Sequence, residues 1–520
     1  MMRAVRGTVN RAFDRPPRRR GSDARFELTP SRVLMLSFLG LIAAGTLGLM
    51  TLPGLYAEGQ EPLGWLDALF TATSAVCVTG LIVVDTATAF TRFGQFYLLV
   101  LIQLGGLGML GLASVIIVTF RARLSLRQDA LAGGGGNSSL AEHVQTRNLV
   151  RDVIVFTFAA EFIGFALLWL LWWNQFGPAE AAWHAMFHSV SAFCNAGFST
   201  FSDSLVGFQE SPLTLAVVMF GIIIGGIGFL ALEEMKLWVS ARRRRQAFRL
   251  SLHTRLALAT TLVLIVGGAA LLGPLEWANP RTLGPMTVGD KLANTVFLSV
   301  TPRTAGFNTV DYGRVEPPTA FATILLMSIG GAPGGTAGGI KVTTIAVLLA
   351  MAFNRTRARD STDVWSRTIP EHTSHRAVGL FAFAFTFITA GILTFSITEL
   401  ELTHPAMQQV AAGVEALGVD AETAQVALEG APDGGYASRG APGAPLSFLD
   451  LMFEAVSAFN TVGLSTGPTA SLTGSGRLLT ILLMFIGRVG PLTFAAALSA
   501  NNGRTRRVVR RYAHEDVVVG

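Results

Sequence analysis

The sequence predicts an all-α polytopic membrane protein in which four helix, pore-loop, helix repeats surround a pseudo-fourfold pore. Three observations carry that prediction. Of the 520 residues 51% are hydrophobic and only 14% charged, and the mean hydropathy is +0.49, too apolar for an ordinary water-facing surface. One short stretch recurs four times: DALFTATSAVCVTGL (Asp67 to Leu81), HAMFHSVSAFCNAGFST (His184 to Thr200), ANTVFLSVTPRTAGFNT (Ala293 to Thr309) and DLMFEAVSAFNTVGLSTG (Asp450 to Gly467). Finally, 32 of the 40 Lys and Arg residues fall in five segments on one side of the alternating spans.

Apolar runs of the length that crosses about 30 Å of hydrocarbon begin near Val33, Phe93, Asp152, Pro212, Leu256, Thr319, Ala377 and Arg477, giving eight spans. The units are expected over 33–120, 152–240, 256–352 and 377–501, and each has one copy of the repeat between its two spans. Each copy is too short to cross alone and reads as a helix that enters halfway and a loop that returns. Residues 1–32 form a basic tail with no A-x-A cleavage pattern, so the first apolar run is read as a retained helix. Residues 502–520 form a second basic tail. The charge segregation places both tails in the cytoplasm, with all four loops entering from outside, in the cell (inner or plasma) membrane. An Ala/Gly/Pro-rich insertion, 402–445, lies outside in the fourth unit. The charge of +6 needs no nucleic acid, because topology alone accounts for the arginines. Cys77 and Cys194 occupy matching positions inside the repeat and do not form a disulfide framework.

Phe70, Phe187, Phe297 and Phe453 open the copies, and Gly80, Gly197, Gly306 and Gly463 close them; the third copy is one residue shorter. A potassium filter replaces the ion's water shell with backbone carbonyls, which requires extended backbone and glycine where φ must be positive. The candidate filter strands are VCVTG (Val76, Cys77, Val78, Thr79, Gly80), FCNAG (Phe193, Cys194, Asn195, Ala196, Gly197), PRTAG (Pro302, Arg303, Thr304, Ala305, Gly306) and FNTVG (Phe459, Asn460, Thr461, Val462, Gly463). Potassium is expected on the carbonyls of Val78, Thr79, Asn195, Ala196, Thr304, Ala305, Thr461 and Val462.

The second spans echo one another as QLGGLGML, IIGGIGFL, SIGGAPGG and FIGRVGPL, beginning their glycine pairs at Gly105, Gly225, Gly330 and Gly487. In the first two units small-residue helix packing explains the glycines. The third unit runs on as GGAPGGTAGGIK, where Gly330, Gly331, Pro333, Gly334, Gly335, Gly338, Gly339 and Lys341 predict an opened helix over 330–341. In the fourth, Arg488 replaces the second glycine. An intramembrane charge is a functional candidate by default. Two roles stand open for it: bonding to the carbonyls of the broken span, or a structural ion pair with Glu161. Lys341 reads equally as a snorkelling cation and as a partner of Arg488. Arg303 and Glu454 lie near loop ends, where a mutual pair is one reading and a structural role is expected. His184 and His188 share a face of the second pore helix without companion ligands for a metal.

These motifs resemble the Trk/Ktr/HKT superfamily of potassium transporters, in the bacterial branch of ion-translocating subunits called KtrB and TrkH, over about Thr29 to Asn501. The resemblance implies a homodimer in membrane lipids and potassium uptake gated by the broken span with Arg488 beneath the filter. It also implies a cytoplasmic ring of nucleotide-binding regulatory subunits. In the family, glycine at all four filter positions goes with potassium over sodium, and this chain has Gly80 where sodium-permeable plant relatives have serine. No nucleotide-binding loop is legible: GGGGNSS (Gly133 to Ser139) lacks a preceding strand and a phosphate-loop lysine. Nucleotide would therefore act only through a partner, with potassium as substrate and no covalent cofactor. A sodium- or proton-coupled potassium symporter is the alternative, with Glu161 as its candidate carboxylate. A membrane-embedded enzyme is a third reading, for which no nucleophile and base pair is legible.

Overall fold

The structure, a computed structural model, describes residues 30–108, 146–416 and 446–490. The basic tails, the Gly133 to Ser139 segment, most of the 402–445 insertion and the last span beyond residue 490 lie outside these.

Each unit has a long outer helix, a short re-entrant helix and an inner helix. The first comprises α1 (Pro30–Thr51), α2 (Trp65–Val76) and, after the single turn α3 (Thr86–Ala89), α4 over 92–108. The second comprises α5 (Thr146–Phe176), α6 (Pro178–Cys194) and α7 (Pro212–Ile227) followed by α8 (Phe229–Arg243). The third comprises α9 (Leu252–Glu276), α10 (Val288–Val300) and α11 (Pro317–Met327) followed by α12 (Val342–Thr356). The fourth comprises α13 (Glu371–Ala416), α14 (Phe448–Phe459) and α15 (Gly474–Val489). Helix α13 continues into the first residues of the insertion, through Ala416.

Four outer helices are long and apolar enough to cross a membrane by themselves, and the bent pair α7 and α8 makes a fifth candidate span. Their outward faces carry exposed Leu47, Phe162, Val263 and Ile397, which would be a liability in water and suits lipid contact. The re-entrant helices are buried instead and lined with alanine, serine and threonine, so that α2 packs between α1 and α15.

Contacts between units close the ring. Arg477 of the fourth unit pairs with Asp67 of the first at 2.5 Å, and Arg92 of the first pairs with Glu180 of the second. The Leu205 amide donates to Asn308 O at 3.0 Å between units two and three, and Tyr312 packs 5.7 Å from Phe453 between units three and four.

Two features add to the expected architecture. The inner helix of unit two breaks at Gly228 (φ 89°) with a bend of 102°, so close packing is not the whole role of its glycines. A two-strand hairpin, β1 (Thr362–Val364) and β2 (Arg367–Ile369), joins α12 to α13 through Trp365 and Ser366, both at positive φ. Such a turn matches the twist of a two-residue hairpin.

Candidate functional site

The four loops share one backbone conformation. Val78, Asn195, Thr304 and Thr461 adopt φ of 55°, 58°, 64° and 51°, and two residues later Gly80, Gly197, Gly306 and Gly463 adopt 93°, 71°, 78° and 91°. Side-chain residues rarely hold such φ values unless their surroundings fix them. The fixing bonds run back to the preceding helix: Thr79, Ala196 and Val462 amides donate to Ser74, Ser191 and Ser457 carbonyls at 2.8 Å, and Ala305 donates to Thr301 O at 3.0 Å.

The glycines meet in a ring in chain order. A methyl group built on Gly197 would lie 2.8 Å from Gly306 Cα, and one on Gly306 would lie 2.7 Å from Val462 O. One on Gly463 would strike Thr79 O, and one on Gly80 would strike Ala196 O. Each unit thus presses its glycine on the carbonyl before the next unit's glycine, which excludes a Cβ at all four places. All four glycines border one cavity of about 570 Å³, whose lining includes Asp85, Asp203 and Asp311.

A second set of four residues, absent from the sequence reading, braces these strands. Ser74 and Ser457 hydroxyls accept from the Gly80 and Gly463 amides at 3.1 Å, while Ser191 donates to Phe198 O at 2.8 Å and Thr301 donates to Phe307 O. The signal was available: each lies four residues after the phenylalanine that opens its copy. That phase also places the missing residue of the third loop after Thr301.

With their amides turned back to the helices, the strands leave their carbonyls free. Among the described residues, the carbonyls of Val78, Thr79, Asn195, Ala196, Thr304, Ala305, Thr461 and Val462 accept no hydrogen bond. The helices α2, α6, α10 and α14 all end at these strands, and the carbonyl end of a helix dipole favours a cation.

Beneath the ring, inner-helix glycines permit close approach: a methyl group on Gly105, Gly225 or Gly487 would overlap the carbonyl of Val76, Phe193 or Phe459. The third unit departs from this. Between Met327 and Val342 its chain leaves the helix and pairs with the break of unit two, through Ala332 N to Gly226 O at 2.8 Å, Thr336 N to Gly225 O at 3.1 Å and Phe229 N to Gly334 O at 3.0 Å. Thr336 Oγ1 lies 3.0 Å from the Asn195 amide group and donates to Phe193 O at 3.1 Å. The Asn460 carboxamide oxygen accepts from Ile340 N at 3.4 Å.

Arg488, 1% exposed, projects from α15 beneath the strands. One terminal nitrogen donates to Thr336 O in the broken segment and the other to Gly105 O at 3.3 Å. Lys341 points back into the same segment, donating to Ala337 O at 2.5 Å and Gly338 O at 3.4 Å. Gly330, Gly331, Pro333, Gly334, Gly335, Gly338 and Gly339 are thus brought together with Lys341, Arg488 and the inner ends of strands two and four.

Other pairings are not formed. Arg488 makes no ion pair with Glu161, whose carboxylate accepts from Gln103 at 3.2 Å on the flank of the second pore helix. Arg303 does not meet Glu454. Among the described residues the buried Arg303 terminal nitrogens have no hydrogen-bond partner, whereas Glu454 accepts from Ser465 and from Thr469 at 2.9 Å. Two hydroxyls two and six residues past Gly463 outcompete a guanidinium carried by another loop. His184 and His188 bond to Thr200 at 2.6 Å and Ser199 at 2.9 Å.

Comparison with known proteins agrees with this architecture. The TrkH family profile, a cation transport protein, matches residues 33–416 and 441–503. The chain is 36% identical over 492 residues to the Ktr system potassium uptake protein B of Vibrio alginolyticus, covering 94% of each. It is 35% identical to the protein of the same name from Bacillus subtilis (strain 168), covering 95% of this chain and 97% of that one. Similarity to the potassium/sodium uptake protein NtpJ of Enterococcus hirae is 33% over 498 residues, covering 95% and 98%. The crystal structure of the potassium transporter TrkH from Vibrio parahaemolyticus superposes with a TM-score of 0.64 at 18% identity, covering 93% of this chain and 88% of that one. The relatives are transporters, not enzymes, and the chain, a multi-pass membrane protein of the same fold, belongs to the TrkH family of cation transport proteins.

Proposed function

We propose that the chain is the ion-translocating subunit of a potassium uptake system, selecting potassium at the ring of Gly80, Gly197, Gly306 and Gly463. The observation that carries this reading is the set of eight carbonyls without a donor among the described residues, on four strands whose glycines touch in a closed ring. Buried carbonyls need a partner, and a dehydrated monovalent cation supplies one to all four strands at once. The names of relatives covering nearly the whole chain supply the ion.

The segment 330–341 with Arg488 is the gate in this reading. It lies directly below the strands, and its bonds to Arg488, Lys341, Asn195 and Asn460 hold it across the path. Opening requires those bonds to be exchanged for others. Both termini lie in the cytoplasm, the protein is a homodimer, and a nucleotide-binding ring docks on the basic inner loops around 242–245 and 355–359.

Potassium flux into proteoliposomes tests the function. Flux driven by the potassium gradient alone supports a channel-like subunit, and strict dependence on a sodium or proton gradient contradicts it.

A further inference from the structure

Beside α12, the helix that follows the proposed gate segment, lies a groove of about 320 Å³ between the first turns of α9, α12 and α13. Its walls are mostly apolar: Leu252 and Leu256 from α9, Val347 from α12 and Leu380 from α13. Arg376 stands at the same groove, is exposed, and has no acidic partner among the described residues. The lining contains no Asp or Glu. The nearest acid on its own helix, Glu371, faces His375 at 3.9 Å. Arg255 lies over the Trp365 ring at 4.6 Å, adding a further base to this edge.

We infer that this groove binds one anionic phospholipid of the cytoplasmic leaflet, its phosphate on Arg376 and its glycerol and upper acyl chain between α9, α12 and α13. The charge favours an anion and the apolar walls favour one that carries a hydrocarbon chain. The position favours membrane over solution, since α9 and α13 begin two of the long spans here. This assignment rests on the proposed sidedness, in which the basic loops face the cytoplasm.

The occupant would touch α12, which continues directly from the proposed gate segment. Thr343, Thr344 and Val347 border the groove, and Lys341, one residue before α12, holds the carbonyls of Ala337 and Gly338. A ligand that binds the observed arrangement more tightly than an opened one favours it. Because the segment lies closed beneath the strands, bound lipid keeps flux low.

Full-length protein, washed of loosely held lipid, is examined by native mass spectrometry with phosphatidylglycerol, alongside potassium flux in neutral and phosphatidylglycerol vesicles. Wild type retains one phosphatidylglycerol per chain more than Arg376→Gln, with retention roughly fivefold weaker in the variant, the size expected for one basic side chain at an anionic surface. Arg376→Lys restores retention, and Thr344→Trp abolishes it by filling the opposite wall. In phosphatidylglycerol vesicles Arg376→Gln raises flux several-fold, toward the value in neutral vesicles. Equal retention in wild type and Arg376→Gln overturns the site, as does displacement of the lipid by soluble glycerol phosphate. Altered retention with unaltered flux overturns the coupling to the gate. Absence of potassium flux in every vesicle contradicts the transport reading, and retention still decides the lipid site.

Discussion

Arg488 donates a hydrogen bond to the carbonyl of Thr336, joining the last described inner helix to the broken span of the third unit. Thr336 also holds Phe193 O and lies against Asn195, so one residue ties the arginine to the loop of the second unit. A charge-assisted bond of this kind is worth about 1.5 to 3 kcal/mol. Arg488→Ala is therefore expected to raise potassium flux, by about tenfold or more if the whole bond favours the closed state. Potassium uptake at matched membrane abundance measures it, and unchanged uptake removes Arg488 from the gate.

The hydroxyl braces predict a selectivity phenotype without loss of fold. Ser457→Ala removes the acceptor for the Gly463 amide at a cost of about 1 kcal/mol. It should lower the potassium-to-sodium flux ratio, and Ser74→Ala should do the same from the neighbouring strand. Competitive isotope uptake measures both, and wild-type ratios in both would show the braces to be structural only.

Two glycines separate packing from propensity. A methyl group on Gly487 would overlap Phe459 O, whereas one on Gly267, inside α9, meets nothing within 4 Å. Gly267→Ala should be neutral or stabilising by up to about 1 kcal/mol, as expected in an open helix interior. Gly487→Ala should cost several times that, on the order of 3 kcal/mol, through overpacking against backbone. Thermal melting in detergent distinguishes them, and equal melting temperatures would refute the close approach at Gly487.

The phase of the repeat made the ring of glycines legible in the sequence, because Phe and Gly recur at almost constant spacing. The opened segment between Met327 and Val342 was legible because six glycines and a proline cannot sustain a helix there. Gly228 was not. The third glycine of IIGGIGFL looks like packing until the neighbouring segment supplies donors and acceptors for the freed backbone, as Ala332 and Gly334 do. The Arg303 and Glu454 pairing failed for a related reason: opposite charges in sequence do not reveal that Ser465 and Thr469, on the carboxylate's own loop, reach it first. The hairpin after α12 escaped because its strands are only three residues long and polar.

The central claim is that the ring of Gly80, Gly197, Gly306 and Gly463 selects potassium. Its most direct test is competitive potassium and sodium flux through wild type and Gly80→Ser in proteoliposomes. Gly80 has φ 93° and no room for a Cβ against Ala196 O, so serine must displace one strand of the ring. Wild type is expected to prefer potassium and Gly80→Ser to admit sodium, lowering the flux ratio by about tenfold, the effect of roughly 1.4 kcal/mol. An unchanged ratio in a folded, conducting Gly80→Ser protein would contradict the account.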